Sequence, residues 1–340
     1  MWNTLSFENK MSKALERDFG EEKGKQYFTQ YTGARDSLIA DNFFPQINGA
    51  EPSLSDHGGR HIANVLNNVE KLLGQEIESQ TGITLYTLGL VVLFHDVGNI
   101  NGREKHNKNI ADVYNFVRKK EARFNRERAV VIRAGEAHCG KSKDGSRDTL
   151  NDLDEIDNID GEKINLRSIA AILRFADELA EGPQRTSQFM IEQHKYSKES
   201  EIFHKYASVT HMFIDREGGR VSVTYDIDFD TKSMKKEDLV ELLEFSFKRV
   251  VKIDEERRYN KHYCDLLTPF KKTTIQYNFT VDGTPINIDL GKIEITDRFP
   301  IPGEHKGGVE SLLSKNTQLE IDKIWDSINP ETKEKASKNV

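Results

Sequence analysis

The chain has 340 residues, 36% of them hydrophobic and 31% charged, the balance of a globular protein with a real core and a heavily charged surface. Its 49 Lys and Arg against 56 Asp and Glu leave a net charge of −7. That argues against a dedicated nucleic-acid binder, whose affinity comes mainly from neutralising phosphates. The two cysteines, Cys139 and Cys264, cannot build a disulfide framework and fit a reducing compartment.

The most apolar run, Leu88 to Phe94, falls far short of the roughly 18 residues of a bilayer-spanning helix. The N-terminal residues lack a basic segment followed by an apolar one. The expectation is a cytoplasmic protein with no membrane partner.

Residues 10 to 40 read as amphipathic helix, an N-terminal extension over 1–50. Pro45 and Pro52 lie close together and the next proline is Pro183; the stretch between is what a helical domain looks like, because proline removes a donor and breaks helices. Ile62, Val65, Leu66, Val69, Leu72 and Leu73 repeat at helical spacing. Leu85 to Val97 is apolar nearly all round, the pattern of a buried central helix. Ile110, Val113, Phe116 and Val117 mark another helix. Ile164 to Leu179 marks a further one, with Leu166, Ile169, Leu173 and Ala176 on one face and a stop at Gly182-Pro183. The acidic stretch Asp148 to Glu162 reads as a solvated loop or lid, since it lacks the spacing of a calcium loop.

Past residue 200 the pattern changes. Ser208 to Asp215 and Arg220 to Asp228 alternate about Arg216-Glu217-Gly218-Gly219, a hairpin signal. A long helix follows from about Lys236 to Leu267. Strands near Thr274 to Val281 and Ile286 to Ile295 then flank Asp282-Gly283-Thr284-Pro285. The organisation is a mainly α-helical bundle over 51–200, a smaller α+β domain (β-β-α-β-β) over 201–300, and a polar tail over 301–340 with one helix near Gln318 to Ile328. The hairpin edges make a homodimer plausible.

Five of the ten histidines, His57, His61, His95, His106 and His138, fall in the helical half. The sharpest unit is His95-Asp96, at the end of the most apolar helix and followed by Val97-Gly98-Asn99. Ionisable residues there need partners, because an unpaired buried charge costs several kcal/mol. A divalent metal is one such partner, with imidazoles and carboxylates its natural ligands.

Three segments, Arg60-His61-Ile62-Ala63-Asn64-Val65, Leu93-Phe94-His95-Asp96-Val97-Gly98 and Leu173-Arg174-Phe175-Ala176-Asp177-Glu178-Leu179, stand in order, each on an expected helix. In this the sequence resembles the HD-domain superfamily of metal-dependent phosphohydrolases, over roughly residues 55 to 187. The resemblance implies an HD-domain bundle with His61, His95, Asp96 and Asp177 as core metal ligands, Asp96 and His95 being the catalytic pair. His106 and His138 match places where binuclear members such as HD-GYP phosphodiesterases carry additional ligands, so Asp96 could bridge two ions. The Gly-Tyr-Pro signature of those enzymes is absent, and the sequence also looks like stand-alone bacterial HD proteins of signalling or conflict systems.

The implied cofactor is one or two divalent ions (manganese, iron, nickel, cobalt or magnesium). The implied reaction is phosphoester or phosphoanhydride hydrolysis of a nucleotide or nucleotide second messenger by metal-activated water. Arg103, Lys105, Lys141, Arg174 and Arg185, with Arg60, are the cationic candidates for the substrate's phosphates. His57, four residues before His61, could ligate, contact substrate or cap its helix; Cys139 reads as a buried small residue or a soft ligand. A non-catalytic nucleotide sensor using the same pocket and a metal-dependent nuclease are the alternative readings.

Overall fold

The computed structural model describes residues 2–41, 43–50, 55–232, 234–288, 290–291, 293–297 and 308–328. Pro52, and residues 301–307 (with His305) and 329–340 of the expected polar tail, therefore lie outside the described residues. Internal contacts divide the chain into two compact units. The first runs to Ala180 and takes back Tyr259–Pro269; the second holds Glu181–Arg258 and the described residues from Phe270 onward.

The first unit is helical: α1 (Ser6–Ala40), α2 (Phe43–Ala50), α3 (Gly59–Leu73), α4 (Gly82–Phe94), α5 (Ile110–Val117), α6 (Asn125–Glu136) and, after a hairpin, α7 (Leu166–Glu178). Helix α4 is buried all round, as its uniform apolarity requires. With the short 3-10 turn that follows, Gly82–Asn101 is long and apolar enough for a bilayer, contrary to the expectation from Leu88–Phe94 alone. Yet 89% of its window is buried inside the protein, as in a core helix.

Helix α1 covers α4 with Phe7, Met11, Leu15, Tyr27 and Tyr31, all buried. Each such side chain contributes on the order of 1.5–3 kcal/mol by leaving water. The two backbones approach closely: a Cβ at Gly82 would lie 2.6 Å from Leu15 Cα, so only glycine fits. Asp18 Oδ2 on α1 accepts from the Gly82 N–H at 2.6 Å, at the start of α4. Helix α3 buries Ile62, Val65, Leu66, Val69, Leu72 and Leu73, and α7 buries Leu166, Ile169, Leu173 and Ala176, the stripes expected from their spacing.

Two expectations change here. The acidic stretch is not all loop: β1 (Ile156–Ile159) pairs antiparallel with β2 (Glu162–Asn165). Asp157 in it is buried and ion-paired with Arg126 and Arg133 of α6. Helix α7 accordingly starts at Leu166, because Ile164 and Asn165 belong to β2.

The second unit opens with α8 (Gln188–Glu192) and α9 (Lys198–Val209), then β3 (Thr210–Asp215) and β4 (Arg220–Phe229). These form the expected hairpin, with Ile214 opposite Val221; its first strand begins at Thr210 because Ser208 and Val209 end α9. Helix α10 (Lys236–Tyr263) connects β4 to β5 (Lys272–Val281), and β4 and β5 run parallel, Val223 beside Ile275. The expected single strand over Ile286–Ile295 is instead two, β6 (Thr284–Ile286) and β7 (Ile293–Thr296), both antiparallel to β5. Val221, Val223, Tyr225 and Ile227 of β4 point inward with Ile275, Tyr277 and Phe279 of β5. Ser246 of α10 meets that face through the Tyr277 hydroxyl at 2.9 Å. Two short helices follow, α11 (Gly308–Lys315) and α12 (Ile321–Ile328), the latter where a helix was expected. The protein is thus a mainly helical region followed by an α+β region.

Candidate metal centre

Three helices of the first unit deliver the charged cluster. Helix α3 carries His61 in its first turn, α4 ends with His95 as its C-cap so that Asp96 follows directly, and α7 carries Asp177 in its last turn. His61 and Asp177 are held level because Asn68, two turns along α3, donates to the Ala176 carbonyl at 3.1 Å. His61 Nε2 lies 3.0 Å from Asp177 Oδ1 and 3.6 Å from Asp96 Oδ2; His95 Nε2 lies 3.4 Å from Asp96 Oδ2. One donor atom from each of the four residues falls within 4.8 Å of the others.

The second oxygen of Asp96 looks the other way. Oδ1 lies 3.3 Å from His106 Nε2 and 3.6 Å from His138 Nε2, and those two nitrogens are 3.3 Å apart. Cys139 Sγ, 3.5 Å from His106 Nε2, completes this second group. The turn bearing His106 is fixed from both sides. Asn107 donates to the Glu136 and Cys139 carbonyls at 3.0 and 3.3 Å. Gly98 passes so close to the His106 carbonyl oxygen that a Cβ would stand 1.9 Å from it.

The imidazoles share one arrangement. Nδ1 of His95, His106 and His138 faces the carbonyl three residues earlier, Val92 at 2.8 Å, Arg103 at 3.1 Å and Gly135 at 2.5 Å. A carbonyl oxygen only accepts, so each Nδ1 carries a proton and each Nε2 is the nitrogen turned inward. Metal-binding histidines are oriented in this way. His57 also sets its Nδ1 against a carbonyl, here two residues earlier, Ser55 at 2.5 Å, with its ring 5.5 Å from that of His61.

Charge in the cluster is strongly coupled. Burial opposes ionisation of Asp96, but His95 and His106 outweigh it and hold the carboxyl well below the usual range. Burial likewise opposes the charge on Asp177, and hydrogen bonds from His61 and His95 again prevail. Burial pushes the His138 imidazole down, helped by positive charge on His95. Burial opposes charge on His95 and His106 too, but Asp96 and Asp177 hold His95 well above its ordinary value and Asp96 raises His106, so the two ionised carboxylates are balanced by protons on the imidazoles. His95 Nε2 and Asp96 Oδ1 are buried without a hydrogen bond of proper geometry, a cost of about 1–3 kcal/mol per neutral group and more for a charged one. A divalent cation removes that cost, and the donor set of imidazoles, carboxylates and a thiol fits one.

The cationic candidates are placed differently from one another. Arg103 is half-exposed with Nη1 3.9 Å from Asp96 Oδ1, and donates to Asn99 Oδ1 at 3.3 Å. Lys105 and Lys141 are exposed on flanking loops. Arg60 is exposed and pairs with Asp56 at 3.4 Å. Arg174 donates to Thr149 Oγ1 at 2.9 Å and lies over the Tyr259 ring. Arg185 is a buried residue of the second unit, 3.5 Å from Glu181, which also pairs with Arg249 at 3.0 Å.

Sequence reasoning gave no role to Asn68, Asn99 or Asn107. The available signal was a buried-helix position for Asn68 and adjacency to the histidine motifs for the other two.

A helical domain whose core converges two histidines and two aspartates from α3, the end of α4 and α7 defines an HD-type protein. The HD-CE family model matches residues 51–240, more than half of the chain, and the protein belongs to that family. No curated protein and no solved structure matches the chain.

Proposed function

We propose that this protein is a metal-dependent phosphohydrolase that cleaves a phosphoester or phosphoanhydride of a nucleotide or nucleotide second messenger. The observation that carries the reading is the convergence on Asp96, whose two oxygens face two separate groups of inward-turned donors. His61, His95, Asp96 and Asp177 would hold one ion, with His106 and His138 beside Asp96 Oδ1 available for another. When bound, such ions lower the pKa of a water towards neutrality and polarise a phosphoryl oxygen.

The chain's own residues do the rest. The Nδ1 bonds to backbone carbonyls fix the orientations of His95, His106 and His138. Asp177, a quarter exposed in its side chain while His61 and His95 are fully buried, marks the side open to solvent. Arg103, oriented by Asn99, offers its guanidinium to a phosphate oxygen near that charge. Lys105 and Lys141 add positive potential around it. The acidic balance of the chain supports a small phosphate compound over a nucleic acid.

The test is a chromatographic turnover screen with manganese against nucleoside mono- and triphosphates, linear dinucleotides and cyclic nucleotides, with Asp96→Ala alongside. A product peak lost in the variant supports the reading and names the substrate class. Silence across the panel from protein shown to carry metal overturns hydrolysis and favours a pocket that binds without turnover.

A further inference from the structure

We propose that Cys139 is a thiolate ligand of the second ion, so that the centre has a hard half, His61, His95, Asp96 and Asp177, and a soft half, His106, His138, Cys139 and Asp96. The inference rests on the metal-centre reading above and goes beyond it in assigning the sulfur and the kind of ion it selects.

The separations carry the argument. Around a tetrahedral ion with nitrogen or oxygen at about 2.1 Å and sulfur at about 2.3 Å, neighbouring donors stand about 3.4 Å apart for N or O pairs and about 3.6 Å apart for an N,S pair. Here His106 Nε2 and His138 Nε2 are 3.3 Å apart, and Asp96 Oδ1 is 3.3 and 3.6 Å from them. Cys139 Sγ is 3.5 Å from His106 Nε2. Asp96 Oδ1, buried without a hydrogen bond, is turned into this space, and both imidazoles already direct their Nδ1 protons to carbonyls. The sulfur is not there by drift, because Asn107 holds the Cys139 carbonyl on the same turn that presents His106. On binding, the thiol releases its proton to solvent and a sulfur–metal bond forms, with no change of oxidation state.

A thiolate favours a borderline or soft ion such as zinc or cobalt, whereas the nitrogen- and oxygen-only half accepts manganese or magnesium. The centre should therefore prefer two different metals.

The experiment is a cobalt(II) titration of the metal-stripped full-length chain, reading bound equivalents and the near-ultraviolet thiolate-to-cobalt charge-transfer band. Wild type should develop the band. Cys139→Ser, checked for folding by circular dichroism, should lose it and bind its second equivalent roughly tenfold or more weakly. Asp177→Asn, which damages only the other half, should keep it. Cobalt binding without the band in wild type, or a band that survives in Cys139→Ser, overturns the thiolate assignment and leaves the metal centre standing. Failure of wild type to bind any cobalt overturns both.

Discussion

Two buried polar clusters lie in the same helical unit, and they are built to opposite specifications. Around Glu127 on α6, every strong group is answered: Oε1 accepts from the Tyr114 hydroxyl at 2.6 Å and from Arg118 Nε at 3.0 Å, Oε2 accepts from Tyr86, and Arg118 Nη1 donates to the Gln30 carbonyl at 2.7 Å. Around Asp96, imidazoles and carboxylates converge, and His95 Nε2 and Asp96 Oδ1 are left buried without a hydrogen bond of proper geometry. One arrangement is complete within the chain; the other is a donor set that could hold a metal ion. A buried charge alone therefore says little about function. The informative quantity is the balance of donors and acceptors around it.

The largest effect that would sharpen this contrast is in Asp96→Asn, which keeps the shape and removes the charge shared by both halves. Metal affinity, read by calorimetry, should fall at least roughly a hundredfold, beyond the effect usual for an outer-shell change, and hydrolysis should disappear with it. Glu127→Gln should do the reverse. It leaves Arg118 buried without its counter-charge, so chemical denaturation should show a loss of about 3–5 kcal/mol, while the folded fraction binds metal as before. A marked loss of metal affinity in folded Glu127→Gln would break the comparison.

Gly98→Ala tests how tightly the second group is held. The new methyl meets the His106 carbonyl, so a loss on the order of 3 kcal/mol is expected. Metal analysis should show the His106 side depleted first. The smallest effect belongs to Asp18→Asn, about 1 kcal/mol at neutral pH by analogy with helix N-caps. The Arg17 side chain, joined by the Gly82 N–H, holds the Asp18 carboxyl below its ordinary value against the opposing effect of burial. The stabilisation is therefore present above the unfolded carboxylate pKa of about 3.9 and is lost as pH falls through the lower folded value. Thermal melts of the two proteins should converge in acid.

Much of the site could be read from the sequence because its motifs are local. His95-Asp96 closes a uniformly apolar helix, and His61 and Asp177 sit on helices with clear stripes. The asparagines were not legible, since Asn68 and Asn107 act on backbone carbonyls far along the chain, which no spacing rule encodes. The hairpin Ile156–Asn165 was hidden by its charges: Asp157 reads as solvated until Arg126 and Arg133 are seen to enclose it. In the α+β region the strand alternation was plain. The parallel pairing of β4 with β5 was not, because it depends on where the α10 crossover returns the chain. The break between β6 and β7 was likewise invisible in a run that reads as one strand.

The ends of the helices add a consequence of their own. Helices α4, α6 and α7 all finish at the cluster, at His95, just before His138, and at Asp177, while among the described residues only α3 begins there. Each finishing helix brings about half a negative elementary charge from its macrodipole, against one positive end from α3. Together with the carboxylates this concentrates negative potential at the buried donors, inside the exposed ring of Arg103, Lys105 and Lys141. It draws cations inward and repels a bare phosphate. For the phosphate substrate proposed above, this predicts an order of arrival, metal first, written into the direction in which the backbone runs.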